Sequence, residues 1–219
     1  MASVCIFVRH GYSESNKGGY LSNELGKYPL TGLGREQAAI AGDELAKIKG
    51  IRRIISSPCL RTMETAEVIA KRLGLNVEID RRLIEADFGK FTGKTIDEIC
   101  GNEKNDIATL CRKLKGGAES FSSIQNRTVE FMESLEDGTV SVAVSHAYPI
   151  ATAIVYSQKL GESASFAITV DNATITIIER KEAEYRKGRQ AMAYEYKPIA
   201  ITAARLAEEH IAFLNSAYI

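Results

Sequence analysis

The sequence predicts an α/β domain with a mainly parallel central sheet and helices on both of its faces. Short apolar runs alternate with longer stretches of helical character, the pattern that builds strand–helix–strand units. Several of these runs end in a histidine or deliver an arginine just beyond, which places polar chemistry where open parallel sheets bind ligands. No internal repeat, low-complexity tract or Pro/Gly-rich linker divides the 219 residues, so one domain is expected over 1–219.

Taken in order, strands are expected at 3–9, 51–56, 75–79, 139–145, 166–170 and 173–180. The Asp171-Asn172 step reads as a tight turn that makes a hairpin of the last two. Helices are expected at 33–48, 59–73, 119–136 and 147–159, with one or two shorter ones in 94–115. The first follows Pro29-Leu30-Thr31-Gly32 and ends near Gly50. Two segments break the alternation. Residues 17–30 read as a long loop beside His10. Residues 181–219 begin highly charged and end in an amphipathic stretch at 202–214. That tail has two readings: a strand and helix packed on the sheet edge, or, with loop 17–30, a cover over the site.

Apolar residues make up 45% of the chain, enough for a sizeable core, and no run reaches transmembrane length. The start, Met1-Ala2-Ser3, lacks the features of a signal peptide, so a cytoplasmic enzyme without membrane association is expected. Lys+Arg and Asp+Glu balance at 28 each, whereas a nucleic-acid binder usually carries a basic excess. Cys5, Cys59, Cys100 and Cys111 form no C-x-x-C pair, which predicts reduced thiols rather than a disulfide framework. Cys59 is read as a small apolar residue in the first turn of a helix. No metal-ligand spacing involves these thiols or His210.

Of the three histidines, two end apolar runs: Val4-Cys5-Ile6-Phe7-Val8-Arg9-His10-Gly11 and Val140-Ser141-Val142-Ala143-Val144-Ser145-His146. Between them, Ser56-Ser57-Pro58-Cys59-Leu60-Arg61-Thr62-Met63-Glu64-Thr65-Ala66 delivers an arginine at a helix start. Two imidazoles and two guanidinium groups at strand ends make a cradle for a phosphoryl group, whose geometry arginine matches well. Gly11 lets the backbone leave extended geometry so that the neighbours Arg9 and His10 reach one pocket. The first turn of helix 147–159 adds backbone amides and tolerates Pro149.

From about Val4 to Ile154 this succession of motifs resembles the histidine phosphatase superfamily, also called phosphoglycerate-mutase-like. The resemblance implies that fold, a phosphohistidine intermediate and a small phosphorylated substrate. It implies His10 as nucleophile, with Arg9, Arg61 and His146 around the transferring group. Glu85, in Leu83-Ile84-Glu85-Ala86-Asp87-Phe88-Gly89-Lys90-Phe91-Thr92-Gly93, matches the family's general acid. Spacing alone leaves Asp87 open as the rival, since both share a face in an extended segment. In Arg9-His10-Gly11-Tyr12-Ser13-Glu14-Ser15-Asn16, Ser13 and Asn16 match expected phosphate or substrate contacts, while Tyr12 departs from the family's Glu or Gln. Ala147 stands where the family usually has glycine, and its amide is still a candidate phosphate contact. Gly116-Gly117-Ala118-Glu119-Ser120 resembles a Gly-Gly-Glu-Ser turn with one insertion and reads, with Arg127, as capping and packing.

Gly89-Lys90-Phe91-Thr92-Gly93-Lys94-Thr95 imitates a phosphate-binding P-loop, but its glycines are one residue too close and no suitable strand precedes them. The expected chemistry needs no metal and no resident cofactor. The absence of tryptophan, and Ile84-Glu85-Ala86-Asp87-Phe88-Gly89 in place of the mutases' Asn-Glu-Arg-His-Tyr-Gly, favours phosphatase activity. The alternatives are a 2,3-bisphosphoglycerate-dependent phosphoglycerate mutase, with the bisphosphate as phosphoryl donor, and a non-catalytic phosphate-binding module. Oligomeric state and substrate body have no signature in the sequence.

Overall fold

The computed structural model describes residues 2–101, 114, 117–182, 194–202 and 208–217. A six-stranded sheet runs in the order β3-β2-β4-β1-β5-β6, from β1 (Ser3–Arg9), β2 (Ile51–Ser56), β3 (Val77–Ile79), β4 (Val140–Ser145), β5 (Ile175–Glu182) and β6 (Tyr194–Thr202). The first four are mutually parallel. β5 lies antiparallel on β1, and β6 antiparallel on β5. The helices are α1 (Glu14–Gly18), α2 (Gly32–Leu45), α3 (Leu60–Leu73), α4 (Ile96–Cys100), α5 (Phe121–Glu133), α6 (Ala147–Ser157) and α7 (Glu208–Ala217).

Successive strand residues point to opposite faces, and both faces are covered. Val4, Ile6, Val8, Val140, Val142 and Val144 meet Ala41 and Leu45 of α2, Ala66 and Ile69 of α3, and Leu214 of α7. Cys5, Phe7, Ile55 and Ala143 meet Phe131 and Met132 of α5 and Ile150 and Ile154 of α6. Full burial of one such large side chain stabilises by about 1.5–3 kcal/mol, so a one-residue slip of β1 would exchange two packed faces at once. A third cluster, Ala86, Phe88, Ile99, Cys100 and Ile124 with Leu21, Phe91 and Tyr148 against it, packs beside the carboxyl ends of the strands. β4 inserts between β1 and β2, so the chain reverses its order there and opens a crevice at those ends.

The architecture matches the expectation; several boundaries do not. Residues 166–170 form no strand: a 3₁₀ helix covers Glu162–Ala167, and 168–170 run without regular pairing. The hairpin lies one element later, between β5 and β6, and β5 begins at Ile175 rather than 173. Both edges of β1 are already taken, by β4 and β5, so 166–170 has no free neighbour there. β3 shrinks to three residues. Within 94–115, α4 is described, while 102–113 and 115 lie outside the described residues, as do 183–193 and 203–207 of the tail. The described tail follows the edge-packing reading: β6 borders β5, and Asn215 of α7 binds the Lys49 amide and the Lys47 carbonyl. Glu182 and Tyr194, which flank 183–193, pair at the end of the sheet opposite His10.

Gly11 also has a steric role that the sequence did not signal. Its backbone is not left-handed; instead, a Cβ there would sit 2.2 Å from the Gly34 carbonyl oxygen, and one on Gly34 would sit 2.1 Å from the Tyr12 carbonyl oxygen. The loop after β1 thus lies backbone against backbone on the first turn of α2. Gly34→Ala is expected to destabilise by about 1–3 kcal/mol, as overpacking does. Gly32→Ala, with open space around it, should be neutral or stabilise by up to about 1 kcal/mol. Urea unfolding of the two variants checks this, and equal midpoints would refute the close-approach account.

Candidate active site

β1, β2 and β4 end side by side, and their ends carry the site. His10 follows β1, Ser57 follows β2, and His146 follows β4 as the N-cap of α6. Arg61 comes from the first turn of α3, where a cation opposes the helix dipole. All three side chains His10, Arg61 and His146 are buried, at 2%, 2% and 0% exposure. A stable core has no use for this combination.

Donor and acceptor chemistry fixes the protons. The Gly11 carbonyl can only accept, so His10 Nδ1–H donates to it at 2.8 Å. A guanidinium can only donate, so Arg61 Nε–H donates to His10 Nε2 at 3.1 Å and Arg61 Nη2 donates to His146 Nδ1 at 3.0 Å. The proton of His146 therefore sits on Nε2 and is donated to Ser57 Oγ at 2.9 Å. The two rings meet edge to face with centroids 5.2 Å apart. Burial, then the charge of Arg61, holds both rings well below the ordinary histidine range, so both are neutral at neutral pH.

Two further donors of the site lack partners among the described residues. Arg61 Nη1 and Arg9 Nε are buried without a hydrogen-bond acceptor among the described residues. Arg9 Nη1 is anchored on the Val170 carbonyl, and Arg61 Nη2 also donates to the Ser22 carbonyl at 2.7 Å. Loop 17–30 thereby reaches the centre of the site through backbone, and is itself tied to α3 by Leu60 N–H donating to the Leu25 carbonyl. Two guanidinium groups facing one buried carboxyl group, Glu85, leave a surplus of positive charge suited to an oxyanion.

Glu85 accepts from the amides of Ala86 (2.9 Å) and Tyr148 (3.3 Å), and burial raises its pKa despite the attraction of Arg61 and Arg9. One α6 amide expected to face the anion is thus spent on this carboxylate. Asp87 turns out to solvent and accepts from the Gly89 amide, because the chain bends at Phe88 and Gly89 and the two carboxyl groups share no face. Arg127 fastens the segment. Its Nη1 donates to the carbonyls of Arg82 and Ile84, while Nε and Nη2 form a bidentate pair with Glu119. Ser145 Oγ adds a bond to the Leu83 carbonyl.

The expected site residues thus converge around His10, with two differences. Ser13 is fully buried as the N-cap of α1; its hydroxyl is engaged with Ser15 Oγ and Asn16 Oδ1 rather than presented to a phosphate. Asn16 Oδ1 also accepts from the Ser13 amide, completing a capping box. Ala147 opens α6 beside these groups. Cys59 is the fully buried N-cap of α3, one position before the expected helical turn. Tyr12 is held through its backbone, by Gln37 and Thr31, which explains why a side chain unlike the family's fits there. Sequence reasoning missed the roles of Ser57, Ser22, Asn172 and Thr65. Thr65 Oγ1 accepts the Gly11 amide and donates to the Arg61 carbonyl, joining the two motifs. Ser57 and Thr65 sat inside the quoted arginine motif, and that proximity was the available signal.

A buried imidazole with an aimed lone pair, braced by arginines at the switch point of a parallel sheet, defines a phosphoryl-transfer site of the phosphohistidine type. The chain belongs to the histidine phosphatase superfamily (branch 1), whose family model matches residues 5–191. It is 34% identical over 176 residues to a 2,3-bisphosphoglycerate-dependent phosphoglycerate mutase of Thermoplasma acidophilum, covering 80% of this chain and 86% of that one. It is 31% identical over 187 residues to phosphoserine phosphatase 1 of Hydrogenobacter thermophilus, covering 81% and 86%. The solved structure of a mycobacterial glucosyl-3-phosphoglycerate phosphatase superposes with a TM-score of 0.73 at 25% identity, covering 91% of this chain and 98% of that one. Among the described residues, no helix is long and apolar enough to cross a membrane.

The depressed imidazoles make a pH prediction. Below the ordinary value of 6.5 the unfolded histidines take up protons that the folded ones refuse. Stability should then fall with acid by up to about 1.4 kcal/mol per pH unit for each ring. Glu85, whose pKa burial raises, contributes with the opposite sign above the ordinary carboxylate range. Chemical unfolding between pH 7 and 5 should therefore be less steeply pH-dependent in His10→Asn/His146→Asn than in the wild type. Parallel profiles would contradict the assignment of neutral buried rings.

Proposed function

We propose that the protein is a phosphomonoesterase acting on a small phosphorylated metabolite through phospho-His10. The observation that carries this is the His10 ring, held by Gly11 at Nδ1 with its Nε2 lone pair directed at Arg61. In the resting site Arg61 occupies the lone pairs of both imidazoles. An incoming phosphoryl oxygen is a stronger acceptor for those donors. Its arrival draws the guanidinium from His10 Nε2 and frees the nucleophile.

His10 Nε2 then attacks phosphorus as the ester P–O bond breaks, and the departing electron pair stays on the alcohol oxygen. Glu85, whose pKa burial raises, gives that oxygen its proton. Arg9, Arg61 and His146 hold the equatorial oxygens, with Asn16 and the Ala147 amide as further contacts. The phosphoimidazolium keeps its Nδ1–H on the Gly11 carbonyl. Water attacks next, ionised Glu85 takes its proton, and phosphate leaves with His10 restored. This scheme assigns no step to a metal.

Water as the acceptor is supported by the position of the described tail, which borders the sheet edge away from the crevice, and by the likeness to the phosphoserine phosphatase. The likeness to the bisphosphoglycerate-dependent mutase favours a second reading, in which the acceptor is another hydroxyl of a bound phosphoglycerate and 2,3-bisphosphoglycerate primes the enzyme. The unpartnered donors of Arg61 and Arg9 suit a phosphoryl group of either donor. A panel of phosphomonoesters, scored in parallel for phosphate release and for 2- to 3-phosphoglycerate exchange, separates the two. Release is expected to exceed exchange without stimulation by the bisphosphate; dominant, bisphosphate-dependent exchange would establish the mutase instead.

Two substitutions test the mechanism. Labelled phosphate trapped by denaturation should be acid-labile and alkali-stable, and absent from His10→Ala; Arg61→Ala should lose about 3–4 kcal/mol of transition-state stabilisation. Label on a serine rejects the scheme. Glu85→Gln should suppress turnover of alkyl phosphates far more than phosphorylation of the enzyme by nitrophenyl phosphate, whose leaving group needs little protonation. A larger effect from Asp87→Asn would move the acid to that residue.

A further inference from the structure

The turn that leads into β5 grips the nucleophile from behind. Asn172 Nδ2 donates to the His10 carbonyl at 3.0 Å and to Asn16 Oδ1 at 3.1 Å. The next residue repeats the contact through backbone: Ala173 N–H lies 3.1 Å from the Arg9 carbonyl and 3.3 Å from that of His10. Ala173 does so at φ 58°, a left-handed conformation that costs a residue with a Cβ energy, and it is fully buried. On the same turn, the Val170 carbonyl anchors the Arg9 guanidinium, and the Arg9 amide donates to the Thr174 carbonyl. A turn whose only task was to reverse the chain would use glycine or asparagine at the strained position. Here alanine is forced into it, and the asparagine is placed one residue earlier, where its side chain reaches the site.

Asn172 faces two acceptors with one atom. His10 O and Asn16 Oδ1 both offer lone pairs, and an NH₂ group carries the two hydrogens that satisfy them together. Aspartate, of nearly equal size, would confront both acceptors with oxygen. The second bond has a consequence for Asn16. Its Oδ1 receives the Ser13 amide, the Ser13 hydroxyl and Asn172, which fixes the orientation of the carboxamide and leaves Nδ2 as its donor end.

We propose that Asn172 is a positioning residue for phosphoryl transfer, its carboxamide nitrogen fixing both the backbone that carries His10 and the donor face that Asn16 turns to the phosphoryl group. The inference rests on the phospho-His10 reading of the site. Asn172 touches no substrate in this scheme; it acts through His10 and Asn16. The side chain belongs to the turn before β5, far in sequence from both groups it holds, so the site closes only when the antiparallel addition to the sheet is in place.

The test uses the full-length protein with nitrophenyl phosphate as substrate and inorganic phosphate as inhibitor, all rates being normalised to the amount of folded protein, with phosphoenzyme trapped in parallel. Asn172→Asp is expected to lower kcat/KM at least 100-fold and weaken phosphate inhibition at least tenfold. Asn172→Ala gives the same readout with a smaller loss should the aspartate variant fail to fold. Because part of the effect passes through Asn16, adding Asn172→Ala to Asn16→Ala should weaken phosphate binding far less than the same change does in the wild type. Phosphate inhibition within threefold of wild type, or effects of the two alanine substitutions that multiply fully, would overturn the proposal and leave a turn of structural value alone. Absence of acid-labile label from the wild type would instead overturn the phospho-His10 reading, so the two failures are distinct.

Discussion

A buried guanidinium spread across two imidazoles governs this site. Arg61 can only donate, so His10 Nε2 and His146 Nδ1 must both accept from it, and each ring's remaining proton is forced onto its other nitrogen. The arrangement costs the fold twice. Arg61 is desolvated, and it sits in the first turn of α3, where the helix dipole repels a cation. Its carbonyl partner at Ser22 and the lone pairs of two neutral rings offset that cost incompletely, since Arg61 Nη1 has no acceptor among the described residues. Placing such a group where burial disfavours it makes the resting pocket a poor home for its own charge and a good one for an oxyanion.

The frame around this guanidinium explains why its geometry holds. His10 and His146 end adjacent parallel strands, paired through Arg9 and Ser145, so the separation of the rings is set by strand spacing rather than by side-chain choice. Thr65 joins the Gly11 amide to the Arg61 carbonyl and fixes α3 against the end of β1. Glu85 has no strand to carry it. It lies on an irregular segment after a 3₁₀ turn, held by the Arg127–Glu119 pair and by Ser145. His10 is therefore positioned by the sheet, and Glu85 by side-chain clamps. That division suits the roles we propose for them: a nucleophile must be aimed at one atom, whereas an acid must reach leaving groups of different shapes.

What the sequence disclosed follows the same division. The strands that end at His10 and His146 are apolar along their whole length because both sheet faces are covered, so they and the residues just past them were legible. Arg61 was legible as a cation placed where a helix begins. The loops were not. Residues 166–170 have a strand-like composition, but β4 and β5 already occupy the edges of β1, and no local signal reports that competition. Glu85 and Asp87 stood level on spacing because an extended segment was assumed; the bend at Phe88 and the left-handed Gly89 turn Asp87 outward. Gly34 gave no sign of its purpose, since close backbone approach depends on a partner distant in sequence. Asn172 was legible as part of a turn but not as a contact to His10, and Ser13, expected as a phosphate or substrate contact, is instead the N-cap of α1.

The choice of phosphoryl acceptor depends on what stands at the mouth, and the fold narrows the candidates. Of the described tail, α7 is bonded to Lys47 and Lys49 beyond the end of α2, and Glu182 and Tyr194 pair at the end of the sheet away from His10, whereas β6 runs to Thr202, opposite Ile175 and so toward the His10 end. Among the described residues, loop 17–30 and the chain around 91–95 are fastened beside the crevice. Leu21 and Lys94 exchange a backbone bond, Gly93 N–H donates to the Leu21 carbonyl, and Tyr20 bridges Thr95, while Leu21, Phe91, Ile96 and Tyr148 share one apolar cluster. With these elements tied in place, the phospho-His10 that we propose would face water, which is the basis of the phosphatase reading.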